Sequence, residues 1–291
     1  MASADAAPAL LPASDLGRHL GEPGLVVLDI RSAGYGGGRS AFDAGHVPGA
    51  VHSDYVADGW REQKGAAAGL LPDPERLSEL FGRLGLVPES WVVVVPAGMS
   101  AGDFAVAARI FWTLRAAGHR RLSMLDGGWE GWLAGGHPVE TEARDPEPTT
   151  YPVTLDPSVR ATLVEVERRV AGGGATLVDS RGPKSFAGEE KSAQAARAGR
   201  LPGAVNIEGA QAYDGGRNGL KPLSELETLF APAFGGEIIP FCNTGQAAAT
   251  DWFVLAEVLG RPNVKLYDGS MSEWTADPNR PVETGPAAKP G

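Results

Sequence analysis

Cysteine is nearly absent: the 291 residues hold one, Cys242. A single thiol excludes an intramolecular disulfide framework and a cysteine-rich metal site. Basic charge is also in deficit, with 26 Lys and Arg against 36 Asp and Glu and a formal net charge of −10. That balance argues against nucleic acid as a partner. It also obliges any anionic substrate to find a local basic pocket, because the overall field repels it. No apolar run approaches the roughly 20 residues that span a bilayer, so no membrane partner is expected. The start, Met1-Ala2-Ser3-Ala4-Asp5, has neither a basic n-region nor an apolar h-region. No signal peptide is expected there, and the chain reads equally as a cytoplasmic protein or as a mature periplasmic one. What remains is a composition of 43% hydrophobic and 21% charged residues, that of a soluble globular protein long enough for two ordinary domains.

The sequence repeats itself after about 150 residues, the spacing of a duplicated domain rather than a solenoid. Leu25-Val26-Val27-Leu28-Asp29-Ile30-Arg31 returns as Ala175-Thr176-Leu177-Val178-Asp179-Ser180-Arg181. Ala44-Gly45-His46-Val47-Pro48-Gly49-Ala50 returns as Ala198-Gly199-Arg200-Leu201-Pro202-Gly203-Ala204. Leu77-Ser78-Glu79-Leu80 and Leu125-Asp126-Gly127-Gly128 return as Leu223-Ser224-Glu225-Leu226 and Tyr267-Asp268-Gly269-Ser270. Between the copies, residues 141–153 are charged and proline-rich, as an extended interdomain linker would be. The expected domains are therefore 10–140 and 154–284. Continuously apolar runs such as Val92 to Val95 read as strands buried on both faces, and they alternate with helical patterns. That alternation predicts an α/β fold, with a mostly parallel sheet flanked by helices in each copy.

Cys242 stands where one apolar run, Ile238 to Phe241, meets a helical pattern from Ala247 to Leu259. In parallel sheets, ligands bind beyond the carboxyl ends of strands. A thiol over the first turn of a helix is more readily ionised, because unpaired N–H groups there favour an anion. The alternative for a lone cysteine is a small buried hydrophobe. Gly245 suits a tight loop that requires positive φ or close backbone approach. Successive N–H groups from Asn243 through Thr244, Gly245, Gln246 and Ala247 would then form an anion nest at the thiolate. Asp179 and Arg181 form either a buried structural pair or, through Arg181, a contact to a substrate anion. Lys184 and Lys191 flank a polar segment and read either as a solvated charge run or as candidates for the same task. His46, Trp129 and Trp252 read as packing residues, and Asp126 and Asp268 as turn-stabilising ones.

These motifs, in order and duplicated, resemble the tandem-domain rhodanese family of thiosulfate and 3-mercaptopyruvate sulfurtransferases, from about Leu25 to about Val282. The resemblance implies two rhodanese-like domains, the first inactive and the second carrying the nucleophile. The first-half counterpart of the Cys242 strand, Val92 to Ser100, indeed holds no thiol. It further implies transfer of a sulfane sulfur through a persulfide on Cys242 to cyanide or a thiol. Small-molecule donor and acceptor are then the partners, no metal or organic cofactor is needed, and a monomer is expected. The related phosphatases carry a longer loop closing on an arginine, whereas here none follows Cys242 until Arg261. The chain departs from the family at Asn243 and Thr244. Thiosulfate-type members are basic there and mercaptopyruvate-type members carry a Gly-Ser pair, so the donor stays open between the two. A persulfide carrier without turnover is the alternative function.

Overall fold

The structure is a computed structural model and describes residues 7–286. In the first half the strands are β1 (Leu10–Leu11), β2 (Leu25–Asp29), β3 (Val51–His52), β4 (Glu62–Lys64), β5 (Ala67–Leu70), β6 (Trp91–Val95) and β7 (Leu122–Leu125). The helices there are α1 (Ala13–His19), α2 (Gly38–Ala44), α3 (Pro74–Arg83), α4 (Ala101–Ala116) and α5 (Gly128–Ala134). The second half carries β8 (Ala175–Asp179), β9 (Val205–Asn206), β10 (Tyr213–Asp214), β11 (Gly219–Leu220) and β12 (Glu237–Phe241). With them run α6 (Leu163–Gly172), α7 (Pro183–Ala187), α8 (Leu223–Phe230), α9 (Ala247–Trp252) and α10 (Ser270–Trp274).

The chain forms two compact units, and sequence order alone does not divide them. One unit comprises residues 1–60, 72–156 and 213–220; the other comprises 61–71, 157–212 and 221–291. The hairpin β4–β5 of the first half thus belongs to the second unit, and the hairpin β10–β11 of the second half to the first.

The first unit is built on a parallel sheet of order β1-β7-β6-β2-β3. Every residue of β6 is buried, which its uninterrupted apolar sequence demands. Helix α4 follows; Ser100 and Asp103 close a reciprocal capping box at its start, and its length is buried nearly all round. Leu11, Val27, Val93, Val95, Trp129 and Trp132 pack into one core cluster. The segment 141–153 carries no helix or strand, and it docks on this unit. Thr149 N donates to Gly82 O at 2.9 Å and Asp156 N to Ala116 O at 2.8 Å. Tyr151 is buried edge-on against Phe81, and its hydroxyl meets His119 Nδ1 at 2.7 Å. Burial pushes that phenol up to about 12.

The second unit repeats the plan with a thinner ladder, β12-β8-β9. The reason is Pro240. On one side β12 pairs with β8 from Glu237 to Phe241. On the other, Ile238 N donates to Asn263 O and Ile238 and Pro240 accept from Lys265 and Tyr267. Proline has no N–H to continue that side, so only the single bridge Ile238↔Val264 forms where the first unit has the ladder β6–β7. The helix expected over 247–259 begins as α9 and then widens. Leu259 N bonds back to Val254 O, five residues earlier, over a π-helical stretch at Phe253–Val258. Among the described residues no helix is long and apolar enough to cross a membrane.

Candidate active site

Cys242 follows the last residue of β12, at the carboxyl end of the sheet, and is a free thiol with 3% of its surface exposed. Its surroundings are tied down through the backbone. Cys242 N donates to Ser270 Oγ at 3.0 Å, and Ser270 Oγ donates to Tyr267 O at 2.8 Å. Met271 N and Ser272 N in turn donate to the carbonyls of Cys242 and Asn243 at 3.1 and 2.9 Å. The first turn of α10 thereby fixes both ends of the Cys242 peptide. Ser270 accepts a φ of 50° to do so, a conformation uncommon outside glycine. Gly245 turns the loop with a φ of 74°. Among the described residues the amides of Asn243 and Gly245 make no hydrogen bond, whereas the Cys242 amide is held by Ser270.

Arg181 comes to this loop with most of its donors engaged. Its Nε and Nη2 bind Asp179 Oδ1 and Oδ2 at 2.8 and 2.6 Å, Nη2 also donates to Gly199 O at 2.9 Å, and Nη1 reaches Asn243 Oδ1 at 3.4 Å. Of the two readings of Arg181, the geometry gives the buried pair, with a contact to the loop through Asn243. Burial raises the Asp179 carboxyl above its ordinary value, against the opposing pull of the guanidinium. Lys184, exposed on α7, borders a cavity of about 540 Å³ with Phe186, Glu189 and Asn206. Lys191 curls onto backbone, its Nζ donating to Ala195 O at 2.7 Å. Neither lysine makes a hydrogen bond or ion pair with residues 242–247 among the described residues.

Other groups reach the loop that the sequence reading left out. Arg61, at the start of the hairpin β4–β5, directs Nη1 to Gln246 Oε1 at 3.5 Å. Gly69 of the same hairpin lies so close that a Cβ there would stand 2.5 Å from Thr244 O. Ser272 Oγ bridges both backbone groups of Ala68, and Leu71 N donates to Asp268 Oδ2 at 2.7 Å. Asp268 is therefore more than a turn residue: with 1% exposure it binds Arg160 by two hydrogen bonds and anchors the hairpin. No local signal announces these hairpin contacts, which join residues 175 to 204 positions apart.

Beside the loop, Asp251 of α9 is fully buried, and neither of its oxygens has a hydrogen-bond partner of ordinary geometry among the described residues. Burial raises its carboxyl well above the usual range; the Ser180 hydroxyl opposes that shift and the Asp179 charge adds to it. His46 and Trp252 pack: His46 stacks on Phe42 at 3.9 Å, and the Trp252 indole donates to Val264 O at 3.1 Å. Among the described residues no group of three or more His, Cys, Asp or Glu side chains is arranged to hold a metal ion.

Set beside known proteins, the chain matches the Rhodanese-like domain twice, over residues 12–135 and 162–277. The thiosulfate sulfurtransferase of Pseudomonas aeruginosa is 33% identical over 279 residues, covering 95% of this chain and 97% of the relative. The sulfur carrier protein TtuD of Thermus thermophilus is 31% identical over 283 residues, covering 92% and 94%. Among solved structures, the 3-mercaptopyruvate sulfotransferase SseA of Escherichia coli shares the fold with a TM-score of 0.76 at 28% identity. That match covers 90% of this chain and 98% of SseA.

Proposed function

The chain belongs to the rhodanese family, and on that premise we propose that it is a sulfurtransferase working through a persulfide on Cys242. The observation that carries the reading is the single thiol at the end of β12, beside the amides of Asn243 and Gly245, which make no hydrogen bond among the described residues. The Cys242 thiolate attacks the outer sulfur of thiosulfate, the S–S bond breaks, and sulfite leaves with the bonding pair. With 3-mercaptopyruvate the thiolate takes the sulfur from carbon, and the proton of the donor thiol ends on the methyl group of pyruvate. The resulting persulfide anion is stabilised by the loop amides, a preformed cradle that costs no reorganisation. Cyanide or a thiol then attacks the terminal sulfur and regenerates the thiolate, completing a double displacement. Donor and acceptor are small molecules, and neither step calls for a metal or an organic cofactor.

Thiosulfate and 3-mercaptopyruvate both fit this chemistry. The test is thiocyanate formation with each donor separately, in the native protein and in Cys242→Ser. Turnover by the native protein alone supports the reading, and equal turnover by the serine variant contradicts it. A second reading, stoichiometric sulfur carriage without turnover, draws on the likeness to a protein named as a sulfur carrier. In that case the native protein releases one thiocyanate per chain and then stops.

A further inference from the structure

We propose that the first unit holds a binding site of its own, for a small α-amino acid with an apolar side chain, at the place that corresponds to the Cys242 loop. Strand register locates it. Val95 pairs with Asp29 as Phe241 pairs with Asp179, so Pro96 stands where the second unit has Cys242, and Ala97 where it has Asn243. The nucleophile is gone, but the first unit keeps a cavity there of about 410 Å³, a size usual for small-molecule sites. Arg31, Ala97, Met99 and Trp129 line it.

Arg31 brings an unspent donor to this cavity. Its Nε binds both oxygens of Asp29 at 3.0 Å, and Nη2 binds Asp29 Oδ2 at 2.8 Å and Gly45 O at 2.7 Å. Nη1 has no acceptor among the described residues, although Arg31 is only 3% exposed. In the second unit the corresponding nitrogen, Arg181 Nη1, reaches Asn243 Oδ1 at 3.4 Å. Ala97 offers only a methyl group in that place. Nη1 is not sealed in protein either, so it opens on the cavity that Arg31 lines. A guanidinium N–H without an acceptor in so covered a place is costly, and a ligand carboxylate relieves it.

The remaining lining completes the match. Glu130 of α5 faces the same cavity, and its carboxylate makes no hydrogen bond or ion pair among the described residues. Asp29 already balances the charge of Arg31, so a simple anion would meet the repulsion of Glu130, whereas the ammonium of a zwitterion pairs with it. Met99, Leu133 and Val139 are 65%, 41% and 47% exposed, three of the seven exposed large hydrophobic side chains among the described residues. All three line this one cavity, and an apolar side chain of the ligand covers them. The donor is held in place for this: the Arg31 guanidinium lies 4.8 Å from the Trp129 ring centre. Gly36 closes over it so tightly that a Cβ there would stand 2.6 Å from Ala97 Cβ and 3.0 Å from Arg31 Cγ.

The experiment titrates L-leucine into the full chain carrying methyl-labelled methionine and follows the methyl signals by NMR, with Met99 assigned from Met99→Leu. L-leucine should move the Met99 signal in a saturable way and leave those of the buried Met124 and Met271 in place. Isocaproate lacks the ammonium and isoamylamine lacks the carboxylate, so each should bind roughly tenfold or more weakly than leucine. Ala97→Asn gives Arg31 Nη1 the acceptor that Asn243 gives Arg181, and it should abolish binding. Glu130→Gln should weaken leucine about tenfold without weakening isocaproate. If Ala97→Asn does not fold, Glu130→Gln decides, since its carboxylate holds no contact in the fold. A Met99 signal that leucine does not move, or equal binding of leucine, isocaproate and isoamylamine, overturns the inference. So does a Glu130→Gln variant that binds leucine as the native protein does.

Discussion

The amide of Cys242 donates to the hydroxyl of Ser270 at 3.0 Å, and both residues are buried. The candidate nucleophile is thus held through its backbone from a turn 28 residues further on, and its side chain makes no hydrogen bond among the described residues. The same turn returns two amides to the carbonyls of Cys242 and Asn243, so the loop is gripped on both edges. That grip yields a first prediction.

Ser270→Ala leaves the Cys242 N–H buried without an acceptor, which costs about 1–3 kcal/mol. The melting temperature should fall, and loading of Cys242 should slow as the loop loses its fixed geometry. Thermal unfolding together with loading kinetics checks this. Unchanged values for both would show that the contact does not hold the loop.

Arg181 and the two lysines should separate by kind of effect. Arg181→Gln strands the buried Asp179 carboxylate, and breaking one side of such a pair costs about 3–5 kcal/mol. The expected result is a strongly destabilised protein. The Lys184→Ala/Lys191→Ala variant should melt as the native protein does, because neither ammonium is part of a buried pair. Chemical denaturation of the two variants distinguishes these outcomes.

Asp251 predicts how stability varies with pH. Its carboxyl keeps its proton in the folded chain well above the value at which an unfolded chain loses it, about 3.9. In that window the folded state binds more protons than the unfolded state, so stability declines as pH rises from about 4 until the folded group itself ionises. Asp251→Asn copies the neutral form and removes that slope. It should be more stable than the native protein at neutral and alkaline pH, with the difference closing toward about pH 4. A stability difference that is constant with pH would contradict a raised Asp251 carboxyl.

The legible parts of the sequence were those written locally. The duplicated strand ends, the fully apolar β6 and the Cys242–Gly245 loop each carry their signal within a few residues. Register also sharpens the comparison of the two halves. Val95 pairs with Asp29 as Phe241 pairs with Asp179, so the counterpart of Cys242 is Pro96. A proline side chain offers no nucleophile. What could not be read was set by distant packing. Arg61 looks like a solvated charge on a turn until its hairpin is seen clamped by Asp268 and Ser272. Pro240 lies within an apolar run and shows its effect only as a missing ladder bond. Asp251 interrupts no pattern, since helices tolerate an aspartate, and its burial comes from Ser180 and the Gly209 backbone packed against it. The segment 141–153 has a linker's composition, and its docking depends on Tyr151 finding Phe81 and His119.

The central claim is a covalent sulfur on Cys242, and intact-mass analysis tests it most directly. Native protein and Cys242→Ser are weighed before and after treatment with thiosulfate, and again after cyanide. The account predicts that the native protein gains one sulfur, that fragmentation locates it on Cys242, and that cyanide removes it as thiocyanate, while the serine variant gains nothing. A native protein whose mass is unchanged by thiosulfate and by 3-mercaptopyruvate, or a serine variant that takes up the same sulfur, would contradict it.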